Sequence, residues 1–270
     1  MEKETGSGMT DYARYWRPQS EAEAMWSIDT GHFGEAFWQW GRAYHEALEQ
    51  ERPALPGVLD YGCGVGRVLM HFDDELRIGV DVSEEMLALA EKNDPRCLWL
   101  KGDGRSIPLP DECVGFAYSL LVLQHMDAAD VAAVVREIHR VLLPGGRCYL
   151  MFSAFGRRWT PTAVVPKTGH TWTGNPATSH HAAHDTLAYT RDIVNELAEA
   201  AGFEQIDVAH IGGEWGYYVL RAQKPVNRAT GIGAEGLHCT PALAKELGVF
   251  HQPLPCWDDE GEITQFVLKE

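Results

Sequence analysis

Between Pro53 and Ala222 of this 270-residue chain, short apolar runs alternate with segments of helical period, and that alternation leaves few folds open. The strand candidates are Val58-Leu59-Asp60, Ile78-Gly79-Val80-Asp81, Leu98-Trp99-Leu100, Val114 to Ser119 and Cys148 to Phe152. Between them, Arg67 to Phe72, Ser83 to Lys92 with Ser83 as N-cap, and Asp127 to Leu143 read as helices. In the last of these Val131, Val134, Val135, Ile138, Val141 and Leu142 share one face, and Pro144-Gly145-Gly146 stops the helix. Strands joined by helical crossovers make a parallel sheet buried on both faces. The alternation breaks at residues 154–189, a loop-like insert with Gly, Pro, Thr and His, and so long an irregular stretch is more often functional than idle. Order returns with a helix capped by Thr190 and Gly202, followed by strands Gln205 to Ala209 and Tyr217 to Ala222. The expected fold class is α/β: a doubly wound, mostly parallel, seven-stranded sheet.

The flanks divide the chain further. Residues 1–9 read as a tail or tag remnant, and 10–52 as a helical cover whose aromatic residues, among them Tyr12, Tyr15, Trp16, Trp26, Phe37, Trp38 and Tyr44, recur at three- and four-residue steps. Residues 53–224 are the main domain, with the substrate-side insert 154–189, and 225–270 are a C-terminal extension of low pattern content.

Charge narrows the function. With 23 Lys+Arg against 39 Asp+Glu the formal net charge is -16, which argues against tracking nucleic acid or an anionic membrane. The six cysteines include no C-x-x-C pair, so neither a zinc ribbon nor a disulfide framework is legible. No run approaches the roughly 20 apolar residues of a membrane span, and a cytoplasmic protein is expected.

The sharpest motif is Val58-Leu59-Asp60-Tyr61-Gly62-Cys63-Gly64-Val65-Gly66-Arg67, a strand that enters a glycine loop. Glycines there let the backbone turn tightly and approach a ligand. A dinucleotide fingerprint needs glycine where Arg67 stands, and no Lys-Ser/Thr completes a phosphate loop. Asp60, just before the glycines, would repel a pyrophosphate, so the ligand should carry positive charge near the loop. Asp81 ends the second strand, where a carboxylate can accept from both hydroxyls of a ribose. Asp103, in Gly102-Asp103-Gly104 after the third strand, is placed to take an exocyclic amine. Successive strand ends of an open parallel sheet line one crevice, so the three aspartates form a single set.

These residues resemble the class I S-adenosylmethionine-dependent methyltransferases, in the group that acts on small molecules. The resemblance covers roughly residues 55–222 and rests on the glycine motif, Gly79-Val80-Asp81-Val82-Ser83, Gly102-Asp103-Gly104, Leu121-Val122-Leu123-Gln124-His125-Met126 and Leu142-Leu143-Pro144-Gly145-Gly146. It implies S-adenosyl-L-methionine as cofactor and S-adenosyl-L-homocysteine as product. Asp60, Gly62 and Gly64 would hold the methionine end, Asp81 with Val82 the ribose and Asp103 with Gly104 the adenine, with Leu120 completing the contacts. Gly115 stands where the family often has Asp, with no loss of function expected. Ser119-Leu120-Leu121 replaces the Asn/Asp-Pro-Pro-Tyr sequence of enzymes that methylate amino groups of adenine or glutamine.

Methyl transfer from a sulfonium needs alignment, and a base if the acceptor carries a proton. His125, after the fourth strand, is the first candidate base, followed by His181 and His184 in the insert. No metal site is assigned; His180 and His184, four apart, would share a face of a helix and could bind a metal with His170 or Asp185. Residues 154–190 hold three Lys/Arg (Arg157, Arg158, Lys167) against one acid (Asp185), a local balance of +2 that would attract an anionic acceptor. The expectation is methylation of a small-molecule acceptor, without nucleic-acid or membrane partners. The alternatives left open are a protein or RNA methyltransferase, a cofactor-binding protein with other chemistry such as cyclisation, and a regulator. Oligomeric state and acceptor atom are not legible.

Overall fold

The computed structural model describes residues 12–29, 31–154, 165–166, 187–212, 216–226, 254–257 and 263–267. Five parallel strands form its centre: β1 (Val58–Tyr61), β2 (Arg77–Asp81), β3 (Leu98–Lys101), β4 (Val114–Ser119) and β5 (Leu142–Ser153). The insert contributes a short antiparallel pair, β6 (Val165–Pro166) with β7 (Leu187–Ala188). After it, β8 (Glu204–Ile211) and β9 (Tyr217–Gln223) complete a seven-stranded sheet of order β3-β2-β1-β4-β5-β9-β8, with β9 antiparallel to β5 and β8. The chain thus adopts the expected doubly wound sheet with an insertion after the fifth strand. Successive connections leave β1 toward β2 and β3 on one side and β4 and β5 on the other. Such a reversal opens a crevice at the carboxyl ends of β1 and β4.

The helices are α1 (Glu21–Ile28), α2 (Glu35–Glu49), α3 (Glu84–Asn93), α4 (Ala128–Val141) and α5 (Arg191–Ala201). Side chains alternate between the two faces of the sheet, as the pleat requires. Ala117 of β4 and Cys148, Leu150 and Phe152 of β5 face the buried stripe of α4, Val131, Val134, Val135, Ile138 and Val141, and the α5 residues Val194 and Ala198. Phe116 and Tyr118 of β4 face the opposite layer, with Leu48 of α2 and Val68, Leu69 and Phe72. Ser83 and Thr190 are N-caps as expected, accepting from Met86 N at 3.1 Å and Ile193 N at 3.3 Å, and Gly202 ends α5 at φ 93°.

Three expectations are corrected. Arg67 to Phe72 is not a full helix: only a 3-10 turn, Leu69–His71, forms. The helix before β5 stops at Val141 and the strand begins at once with Leu142, so Pro144-Gly145-Gly146 lies inside the extended segment, where the register with β4 shifts. A shift of that kind accommodates a proline that has no N–H for the ladder. The C-terminal extension has more pattern than expected. Residues 1–225 and 226–270 are separate compact units, and the second contains an antiparallel pair, β10 (Leu254–Trp257) with β11 (Ile263–Val267).

The N-terminal helices have local reasons to form. Ser20 caps α1 by accepting from Glu23 N at 3.2 Å, and Glu23 Oε2 reaches back to accept from Gln19 N at 2.8 Å, close to a capping box. Helix α2 rests on the end of the glycine motif: the Arg67 guanidinium lies over the Phe37 ring at 4.4 Å, and a Cβ at Gly41 would stand 2.3 Å from the Arg67 carbonyl oxygen. Alanine is the better helix former by about 1 kcal/mol. Gly41→Ala should nevertheless lower stability by about 1–3 kcal/mol, the usual overpacking cost, and depress Tm. A raised Tm would show that α2 does not sit this close.

Candidate cofactor and active site

All four residues of β1 are buried, and the strand delivers Asp60, only 5% exposed, to the mouth of the crevice. At Gly62 (φ 78°) the chain turns, and the Gly62 and Cys63 N–H groups both donate to the Val80 carbonyl, at 2.7 and 3.1 Å. Gly64 (φ 52°) turns it again and donates its N–H to Asp81 Oδ2 at 2.8 Å, while Asp81 Oδ1 accepts from Ser83 N at 2.9 Å. The Asp81 carboxylate therefore joins the glycine loop to the N-cap of α3. Each of its oxygens has acceptor capacity left for a ligand hydroxyl. The segment after β4 is strained: Leu121 holds φ 62°, a sparsely populated conformation for a residue with a side chain of this kind. The residue after it, Val122, lies against Gly62, where a Cβ would meet its methyl groups at 2.2 and 2.7 Å.

The three aspartates occupy different electrostatic settings. Burial is the main force raising the Asp60 carboxyl to about 7; neighbouring Asp81 adds to it, while the hydrogen bond from Tyr118 OH (2.9 Å) and the charge of Arg67 act against it. Burial likewise raises the Asp81 carboxyl, opposed by the backbone N–H groups of Ser83, Gly64 and Val82. At Asp103 burial is outweighed: Oδ1 accepts from Ser106 N at 2.7 Å and Arg105 N at 2.8 Å, Oδ2 accepts from Ser106 Oγ at 2.9 Å, and the carboxyl is held below its ordinary value. Burial pushes the Cys63 thiol well up, away from the range of a reactive thiolate.

Asp60, Gly62, Gly64 and Asp81 are thus brought together, and Leu120 lines the same cavity of about 40 Å³ with Asp60, Gly62, Gly64, Arg67 and Tyr118. Val82 follows Asp81, and Asp103 and Gly104 lie on the adjacent loop after β3. His125 ends the 3-10 turn Leu123–His125 beyond β4, its ring edge-on to Trp16 with centroids 5.4 Å apart and its Nε2 3.1 Å from Gln124 Nε2. His170, His180, His181 and His184 lie outside the described residues. Among the described residues no three His, Cys, Asp or Glu side chains form a metal-binding group.

Sequence reasoning missed Tyr118 and Arg67. Tyr118 is paired with Asp60 in the β1–β4 register, a signal visible only once β4 is known to flank β1. Gly62→Ala should reduce both Tm and ligand affinity more than Gly64→Ala, because Gly62 meets the stiff branch of Val122 and Gly64 only the flexible Ile28 tip, at 2.7 Å. Val122→Ala should restore part of the Gly62→Ala loss in a double-mutant cycle, and strict additivity would contradict the contact.

Comparison with known proteins agrees with this geometry. The family model for the methyltransferase domain matches residues 59–150. A malonyl-[acyl-carrier protein] O-methyltransferase of Pectobacterium atrosepticum is 37% identical over 109 residues, which are 39% of this chain and 42% of that protein. The chain therefore matches less than half the length of that curated relative. Among solved structures, CalS10 of Micromonospora echinaspora, an amino pentose methyltransferase with bound S-adenosylmethionine, superposes with a TM-score of 0.53 at 20% identity, covering 69% of this chain and 91% of that one. The [4+2]-cyclase SpnF superposes with a TM-score of 0.54 at 20% identity, covering 72% and 84%. The strand order and the glycine loop agree with the match to the methyltransferase-domain model over residues 59–150, and the seven-stranded sheet has the fold of the class I S-adenosylmethionine-dependent methyltransferases.

Proposed function

We propose that the protein binds S-adenosylmethionine along Asp60, Asp81 and Asp103 and transfers its methyl group to a small-molecule acceptor. The observation that carries this reading is the Asp60–Asp81 pair: two carboxylates at adjacent strand ends beside a glycine loop, both held above their ordinary range. A ligand that brings an ammonium and a sulfonium supplies the missing positive charge. Asp60 would face the ammonium, Asp81 the ribose hydroxyls and Asp103 the adenine amine, with Gly62, Gly64, Val82, Gly104 and Leu120 as close walls. These residues fit the cofactor by donor set: carboxylates for its cationic and hydroxyl groups, and glycines where a Cβ would obstruct it.

The chemistry is an in-line displacement. Bound there, the cofactor would supply a sulfonium methyl whose bond to sulfur would break as the bond to the acceptor forms, the electron pair leaving on sulfur and any acceptor proton going to a base. His125 is the proposed base, because it lies on the 3-10 turn that follows β4, and His181 and His184 remain secondary candidates. An acceptor that is already an anion needs no base. The relative that methylates a malonyl group on a carrier protein and the +2 balance of residues 154–190 both favour such an acceptor here.

Labelled-methyl transfer to a panel of carboxylate, phenol and amine acceptors tests the activity, and no transfer to any of them, with cofactor bound, would favour non-methylating chemistry on this fold. His125→Ala should lower kcat by about 100-fold or more for a phenol or amine acceptor without weakening cofactor binding. Equal kcat there would remove it from the mechanism.

Asp60 gives the cofactor a pH signature. Its folded carboxyl near 7 lies above the 3.8 of an ordinary aspartate, so without ligand the group favours folding below about pH 4 and loses that contribution as the pH rises through 7. A cationic ligand must displace the proton. Affinity should therefore rise with pH up to about 7 and then level, falling about tenfold per unit below that point. Asp60→Asn should bind weakly with a flat profile, whereas Tyr118→Phe should move the midpoint upward, since the phenol stabilises the ionised form. A pH-independent wild-type affinity would exclude Asp60 as the ammonium partner.

A further inference from the structure

We infer that Tyr12, Asp130 and Arg105 form a clasp that fastens the N-terminal segment over the adenosine side of the cleft, so that bound cofactor leaves only after Tyr12 has let go. This rests on the cofactor reading above and names a positioning residue that the reading does not contain. Tyr12 is 6% exposed and lies 118 residues from its main partner: its hydroxyl donates to Asp130 Oδ2 at 2.5 Å and accepts from Asp127 N at 2.9 Å. Arg105 Nε reaches the other oxygen, Asp130 Oδ1, at 2.6 Å. The clasp thus joins three elements: the N-terminal 3-10 turn Tyr12–Tyr15, the loop after β3 that carries Asp103, and the first turn of α4.

The ring of Tyr12 borders the place proposed for the ligand. A Cβ built at Gly104 would stand 2.6 Å from its Cδ2, with a Val82 methyl 3.6 Å from the same point. Gly104 follows Asp103 and Val82 follows Asp81, so Tyr12 covers the interval between the proposed ribose and adenine partners. The same segment continues along the whole row. Trp16 meets the ring of His125, Ile28 reaches Gly64, and Asp29 Oδ2 pairs with Arg67 at 3.1 Å above the methionine end. A ligand stretched from Asp60 to Asp103 would lie beneath residues 12–29, and those residues must lift for it to exchange.

The fastening is polar, and that favours a gate over a simple plug. Asp130 is 3% exposed, and its charge is met by a partly exposed guanidinium and a phenol whose proton is held more tightly by burial and by Asp130 itself. Such a bond is directional and breaks as one event, whereas apolar packing yields gradually. Each partner regains water on opening.

The test measures dissociation of S-adenosylhomocysteine from the full chain by stopped flow, with hydrogen exchange of residues 12–29, for wild type, Tyr12→Phe and Asp130→Asn. Tyr12→Phe keeps the ring and removes the clasp. It should release the ligand about tenfold faster, as loss of one charge-assisted hydrogen bond implies, with faster exchange across residues 12–29 and an association rate within about twofold of wild type. Asp130→Asn should behave alike; if it fails to fold, Tyr12→Phe decides alone. An unchanged dissociation rate in folded Tyr12→Phe overturns the clasp and leaves the cofactor reading standing. A wild type that binds no S-adenosylhomocysteine overturns the cofactor reading and the gate with it.

Discussion

The rest of the site depends on the carboxylate of Asp81. One oxygen holds the Gly64 N–H and the other the Ser83 N–H, so a single side chain at the end of β2 fixes both the glycine loop after β1 and the N-cap of α3. Two donors in a desolvated place keep the group from being an orphaned charge, although burial still raises its carboxyl. With the loop fixed, Asp60 is held in the crevice beside a second carboxylate. Strain at Leu121, and the Val122 side chain seated on Gly62, close the opposite wall. The order of causes runs from a strand-end carboxylate to a rigid loop, and from the loop to a cavity short of positive charge.

That shortage refines the meaning of the acidity. A net charge of -16 spread over 270 residues mostly describes a solvated coat, and such charges are screened within about 10 Å by salt. Many of the other buried or half-buried acids have cations: Asp94 pairs with Arg77, Asp74 with Arg52, and Asp130 with Arg105. At Asp60, which accepts a hydrogen bond from the Tyr118 phenol, burial outweighs that bond and the charge of Arg67 and brings the carboxyl to about 7. Groups shifted by burial inside a cleft cluster at functional sites.

Much of the fold was legible because its determinants are local. The alternation of strands and helices, the caps at Ser83 and Thr190, the stop at Gly202 and the valine stripe of α4 are all written within a few residues of where they act. The end of α4 was misread because Pro144-Gly145-Gly146 reads as a helix stop, whereas tertiary pairing with β4 draws Leu142 and Leu143 into the strand. At the site, Asp60, Asp81 and the glycines were legible from their place at strand ends. Tyr118 was not, since its pairing with Asp60 needs the strand order, and the Tyr12–Asp130 contact spans 118 residues with no pattern to announce it. Gly115 had no sequence rationale either; a Cβ there would meet Leu55 backbone atoms at 2.7 Å, so the strand admits only glycine at that crossing.

The central claim is that Asp60, Asp81 and Asp103 converge on one cationic nucleoside. Carboxyl carbon NMR of aspartate-labelled protein at about pH 6, titrated with S-adenosylhomocysteine, examines it most directly. The account expects the Asp60 resonance to move from its protonated toward its ionised position as the ligand saturates, with smaller shifts at Asp81 and Asp103 and little change at Asp94. Saturating ligand that leaves all three resonances unmoved, or that shifts only surface carboxylates, would contradict it.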